Sequence, residues 1–352
     1  MAIILRLAVA LTMAMALAGC ATPQVAEKSK SSSIKEVAAH PVLDECFSYP
    51  NLAVDTPEKK VAGQIQAFLA QSGMLSGTPG EPGHGPTPDI SGPVADFLKT
   101  YTTSQKSALK GSLALSGRYL PMMQKAFKDQ GLPQALVYLA LVESGFNPFA
   151  LSPKEASGLW QFMEDTGRRY GLRIDADVDE RRDPEKSTRA AARYLKDLHR
   201  QFGCWYLAIA AYNAGEGRVA GAVQRHGTRD FSALAAKGFL PRETCNFVPQ
   251  WLAVALIAHN PQEFGFGRPA YLKPWGFARV KVPGGTDLSV FADSLGVDIK
   301  ALQDLNPELN LPAIPATRKE YALRVPAQKT QEARNLAQSL WKVVDLVSLK
   351  IN

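Results

Sequence analysis

The 352-residue chain is poor in the groups that hold metals. Its five histidines stand apart, at positions 40, 84, 199, 226 and 259, and there is no C-x-x-C and no His-Cys cluster. No metal site and no cofactor are expected from such a pattern. Basic residues exceed acidic ones by seven, yet no basic run is dense enough to argue for nucleic acid. A diffuse positive balance suits polyanionic partners or simply a basic surface. The apolar run Leu7–Leu17 is too short for a comfortable membrane-spanning helix. Alternating strand-like patterning is missing from about residue 94 to 260.

A hydrophobic content of 46% leaves ample material for a core, and the length allows two or three domains. At the N-terminus, Arg6 precedes the apolar Leu7–Leu17 in the order of a secretory signal. The segment closes Leu17-Ala18-Gly19-Cys20, which resembles a bacterial lipobox. The alternative is an ordinary signal peptide with a chance cysteine. The resemblance implies lipidation at Cys20, a membrane anchor, and a body in the periplasm. Ala21 is not the Asp associated with inner-membrane retention, so the resemblance favours the outer membrane. Cys46, Cys204 and Cys245 then remain, and three thiols cannot all pair within one chain. Cys204 with Cys245 is the preferred pair, since both lie in one domain; Cys46 with either is the alternative.

Residues 21–93 read as a tether followed by a Gly/Pro-rich linker, with a short helix at Ile65–Leu69. Helical spacing is sustained over 94–267, read as one all-α domain. DADVDERRDPEKS is a charged loop within it, and Asp183-Pro184 suits a helix start. From Ala278 the pattern becomes strand, Thr-capped helix, helix, strand, a small α+β module over 276–328. Residues 329–352 read as a helical tail.

The most informative stretch is Glu143–Met163, ESGFNPFALSPKEASGLWQFM. Glu143 ends an apolar run that Pro133 opens and Gly145 stops. A second amphipathic run starts at Gly158 and is read as a helix ending at Tyr170-Gly171. The helix end disfavours charge on Glu143, and Val142, Phe146 and Leu159 would desolvate it. Both raise its pKa, as a general acid working near neutrality requires. The plainer reading is a surface Glu closing a helix.

Four segments in order, ESGFNPFALSPKEASGLWQFM, DERRDPEKSTRAAARYLKDL, AIAAYNAGEGRV and ETCNFVPQWLA, resemble the catalytic domain of family 1 lytic transglycosylases. The resemblance implies a mainly α, goose-lysozyme-like fold with a groove for peptidoglycan glycan strands. It implies cleavage of the β-1,4 bond between N-acetylmuramic acid and N-acetylglucosamine, closing a 1,6-anhydro ring without water. It places the acid, then base, on Glu143, and groove residues on Ser152, Gln161, Met163, Tyr212 and Asn213. Ordinary glycosidases need two carboxylates, but a substrate acetamido group can replace the second. Glu164 and Asp165 receive no role. Glu155 stands where the family has Gly, and Phe247 where it often has Tyr. Cys204 replaces a commonly acidic position, which supports its pairing with Cys245. Trp160 and Trp205 read as core. VPGGTDLSVFADSLGVDIKALQDLNPELN with LRVP resembles a divergent LysM module, with Gly285 where Asp is favoured. Such modules bind N-acetylglucosamine glycans; a degraded one serves as a spacer. A true lysozyme adding water and a non-catalytic glycan-binding lipoprotein are the competing functions.

Overall fold

A computed structural model describes residues 57–74 and 90–351. The signal segment with Cys20, the tether around Cys46 and most of the Gly/Pro-rich linker lie outside the described residues. The chain divides into two compact units. Of the described residues, one holds 57–74, 90–173 and 184–274, and the other holds 174–183 and 275–351.

The larger unit is helical throughout. Helix α1 (Pro57–Gln71) buries Val61, Ile65, Phe68 and Leu69 at helical spacing. It is therefore longer than the short helix read at Ile65–Leu69 and belongs to the core, not to the tether. Helices α2 (Ser91–Thr102), α3 (Lys106–Ser116) and α4 (Leu120–Asp129) follow. A 3-10 turn, Gln134–Tyr138, leads into the short α5 (Leu139–Ser144). After a long bend come α6 (Glu164–Arg169), α7 (Pro184–Phe202), α8 (Trp205–Ala214), α9 (Glu216–His226), α10 (Phe231–Ala236) and α11 (Arg242–His259). Helix α8 is apolar on every side from Trp205 to Ala211, and α11 is buried from Phe247 to Ala258 except at the half-buried Gln250. Helices without a polar face belong at the centre of a bundle. They pack on each other, with α7 against α8 and α2 against α11.

The smaller unit contains β1 (Phe277–Pro283) antiparallel to β2 (Glu320–Pro326), with Val280 opposite Leu323. Between them run α12 (Leu288–Leu295) and α13 (Ile299–Leu305). The order strand, helix, helix, strand is the one read from sequence. The cap of α12 is not Thr286 but Asp287, which accepts from the Ser289 and Val290 amides; Thr286 donates to the Pro283 carbonyl instead. Gly284 has no substitute, since a Cβ there would lie 1.9 Å from the Arg318 carbonyl oxygen. Helix α14 (Thr330–Ile351) is no appendage: Ala333, Ala337 and Leu340 enter the module core and the helix packs on β1.

The acidic-basic loop departs most from expectation. Residues 174–183 group with the C-terminal module rather than with the helical domain, and Asp179, Arg181 and Asp183 are buried. Val178 bridges to Leu309, and the Asp179 amide donates to the Glu308 carbonyl. Among the described residues, no helix is long and apolar enough to cross a membrane, and no His/Cys/Asp/Glu group is placed to hold a metal ion.

Candidate active site

Glu143 lies in the last turn of α5, as its neighbours require. Gly145 ends the helix in the left-handed conformation at φ 60°. The Gly145 amide then donates to the Leu141 carbonyl and the Phe146 amide to the Ala140 carbonyl, which satisfies the last carbonyls of the helix. Ser144 Oγ donates to the Leu159 carbonyl at 2.8 Å, tying the helix end to the bend that follows.

That bend is not the helix start read at Gly158. Leu151 and Phe162 each bridge to Ser157, and α6 begins only at Glu164. Among the described residues, three non-glycine residues have positive φ, Phe146, Glu155 and Gln161, and all three fall in this bend. Strained backbone of this kind persists where packing dictates it, commonly at functional sites. Glu155 has φ 64°, which explains why glycine suits that position.

The Glu143 carboxyl makes no hydrogen bond or ion pair among the described residues. It is half-buried and densely surrounded. Burial pushes its pKa up to about 8, and the nearby Glu243 charge adds to the rise. The desolvation read from sequence is thus present, while Glu243, which sequence reasoning passed over, is the second cause. It stood in the ETCNFVP segment, where only the spacing of α11 could have turned it toward Glu143.

Tyr212, on α8, faces the same carboxyl. Burial raises its hydroxyl pKa well above the ordinary range, with Glu143 the next cause. The hydroxyl donates to the Trp160 carbonyl at 2.7 Å, so it meets a substrate only as an acceptor. Asn213 accepts from Thr244 Oγ1 at 2.8 Å, which turns its amide N–H groups outward. Among the described residues no acceptor takes them. Gln161 gives its Nε2 to the Ala150 and Gly158 carbonyls, leaving its oxygen available. Ser152 Oγ accepts from the Lys154 and Ala156 amides, so its hydroxyl proton is free to donate. Met163 is exposed, as are Phe149 and Leu151 along the same bend.

Trp160 is core, as read: it is fully buried, stacks on Phe127 and donates Nε1–H to Thr188. Trp205 is buried as well. Tyr194 of α7 was not singled out, although its ring lies 5.3 Å from that of Tyr212. It also donates to Glu216, which Arg169 holds in an ion pair. The expected Cys204–Cys245 disulfide is not formed. Cys204 is disulfide-bonded, but Cys245 is a free thiol. Shared membership of one domain does not bring two thiols within bonding reach.

Residues 121–235 match the transglycosylase SLT domain family, and residues 276–341 match the LysM-like domain of the lytic transglycosylase MltD. Each match covers less than half of the chain, the SLT one preceding the LysM-like one. Membrane-bound lytic murein transglycosylase D of Escherichia coli K12 is 34% identical over 221 residues, which are 61% of this chain and 48% of that protein. A putative tributyltin chloride resistance protein of Alteromonas sp. strain M-1 is 42% identical over 106 residues, 30% of this chain and 51% of its own. The chain thus spans about half the length of the curated relatives it matches. Among solved structures, the 70-kDa soluble lytic transglycosylase of Escherichia coli aligns at 19% identity with a TM-score of 0.37, over 66% of this chain and 41% of that one. The SLT match contains Glu143 and the whole bend, while the LysM-like match runs into α14.

Proposed function

We propose that this chain is a peptidoglycan lytic transglycosylase. It cleaves the β-1,4 bond between N-acetylmuramic acid and N-acetylglucosamine and leaves a 1,6-anhydro-muramoyl end. The observation that carries this reading is Glu143, a carboxyl without a partner, desolvated to a pKa of about 8, beside Tyr212 in an SLT domain.

At neutral pH such a group is mostly protonated, the state a general acid needs. Glu143 gives its proton to the glycosidic oxygen as the bond to the anomeric carbon breaks. The substrate's acetamido oxygen closes onto that carbon and spreads the charge. The Glu143 carboxylate then takes the proton of the 6-hydroxyl, whose oxygen bonds the anomeric carbon as the acetamido ring reopens. The free amide N–H groups of Asn213 suit an acetamido carbonyl, and the Tyr212 oxygen suits its N–H. The exposed Phe149, Leu151 and Met163 offer apolar contact to sugar faces. The Ser152 hydroxyl and Gln161 oxygen supply the polar rim.

The LAGC segment supports a lipid anchor at Cys20 and a place in the cell envelope, facing the periplasm from the outer membrane. Mass spectrometry of digested murein tests the chemistry. Anhydro-ended muropeptides are expected; products one water heavier, with reducing ends, would make the enzyme a lysozyme.

A further inference from the structure

A primary amide can offer a ligand either its oxygen or its N–H groups, and at Asn213 a buried hydroxyl decides which. Asn213 stands in the last turn of α8, directly after Tyr212. Thr244 stands in the first turn of α11, directly after Glu243. Tyr212 and Glu243 are each near enough to Glu143 to interact with it electrostatically. Two helix ends of the catalytic unit thus bring Asn213 and Thr244 together beside the acid. Thr244 Oγ1 donates to Asn213 Oδ1 at 2.8 Å.

Burial fixes the direction of that bond. Thr244 is 1% exposed, and among the described residues its hydroxyl proton has no other acceptor. With the amide turned over, Asn213 Nδ2 would donate to Thr244 Oγ1, and the hydroxyl proton would be buried without a partner. Orphaned donors of that kind are costly and rare. Asn213 therefore keeps its oxygen on Thr244. Its own side chain is half-buried, so its N–H groups point to the open side of the site.

An acetamido carbonyl accepts from those N–H groups. A de-N-acetylated sugar carries an ammonium at the same carbon, and donors would then face donors. We propose that Thr244 is a specificity-determining residue: by holding the Asn213 amide in one orientation, it makes the site take an N-acetylated sugar and turn away a de-N-acetylated one. Thr244 is buried and acts through Asn213, not by touching the sugar. This rests on the lytic reading above, in which Asn213 meets the substrate's acetamido group.

The test compares the full chain with Thr244→Val, which keeps the shape without the hydroxyl, and Thr244→Ser, which keeps the hydroxyl. Calorimetric titration with the N-acetylglucosamine tetramer and with its de-N-acetylated counterpart gives a preference ratio for each protein. The LysM-like module is the same in all of them, so a change between variants reports the catalytic unit. The wild type is expected to favour the acetylated tetramer by about tenfold or more, since its donors are left unmatched by an ammonium. Thr244→Val should lower that ratio by about threefold to tenfold, the worth of one neutral hydrogen bond. Thr244→Ser should retain most of it. In an Asn213→Ala background, Thr244→Val should change the ratio no further, because two residues that act as one pair do not add. On purified peptidoglycan, kcat/KM of Thr244→Val should fall by a similar factor. A wild type indifferent to acetylation, a Thr244→Val ratio equal to that of the wild type, or an equal drop in the Asn213→Ala background overturns the proposal. If Thr244→Val does not fold, Thr244→Ala is read against Thr244→Ser by the same ratios. Tetramer binding is measured whether or not the wild type releases anhydro product, so this proposal and the lytic reading fail separately.

Discussion

A carboxyl kept protonated at neutral pH weakens the fold that contains it. Folded Glu143 titrates at about 8 against an ordinary 4.5. Between those values the folded chain binds a proton that the unfolded chain has released, so stability falls as pH rises through the window. Glu143→Gln removes this titration while keeping the shape. The variant is expected to melt with the wild type at pH 4 and above it at pH 8. Its anhydro-muropeptide yield should fall by about a hundredfold to ten-thousandfold, the usual worth of a general acid. Wild-type kcat should in turn decline as pH passes about 8. A variant that melts below the wild type at pH 8 would show that Glu143 is not desolvated. Tyr212→Phe addresses the neighbouring group. It keeps the ring against Tyr194 and removes the donor to the Trp160 carbonyl. A loss of about 1–2 kcal/mol is expected, read as a lower urea midpoint at unchanged slope.

The bend between α5 and α6 carries opposite predictions at two of its positions. Gly145 needs its left-handed φ, and a Cβ there would lie 2.7 Å from Ser112 Oγ. Gly145→Ala should cost about 1–2 kcal/mol from backbone strain alone and displace Glu143 two residues earlier. Adding Ser112→Ala should recover the contact but not the strain, which thermal melts of the three proteins would separate. Glu155→Gly should instead stabilise by about 0.5–1 kcal/mol, relief of strain outweighing glycine's added freedom when unfolded. The same bend shows what could be read from sequence. The apolar run into Glu143 and its glycine stop follow local rules, and the structure keeps them. Gly158–Met163 mimics helical spacing because its apolar residues enter the core through bridges and a left-handed Gln161. Nothing in residue type announces that. Helix α1 was under-read because its outer face is polar. The loop 174–183 reads as part of the all-α domain because nothing local ties it to the module; Asp183 finds Arg324 141 residues away. Thr244 and Glu243 were hidden for the same reason, since a partner across the fold leaves no local pattern.

At the scale of the whole molecule, the cysteines and the proposed lipid anchor carry the predictions. Alkylation without reduction should label Cys245 and spare Cys204. Labelling of Cys204 would show that the disulfide at the start of α8 is not formed. With helix α1 folded into the core, only the 36 residues between Cys20 and Pro57 separate a lipid at Cys20 from the domain. Fully extended they span at most about 120 Å, and less wherever a disulfide shortens the path. The body of an anchored enzyme can therefore work only on wall within that distance of its membrane. Cys20→Ala should move the protein from the membrane fraction to the soluble envelope fraction. Its kcat on isolated murein should stay at the wild-type value, because residue 20 lies far along the chain from α5 and the bend. Persistence of the variant in the membrane fraction would sink the anchor. A drop in kcat would show that the N-terminal segment reaches the catalytic site by some route other than reach alone.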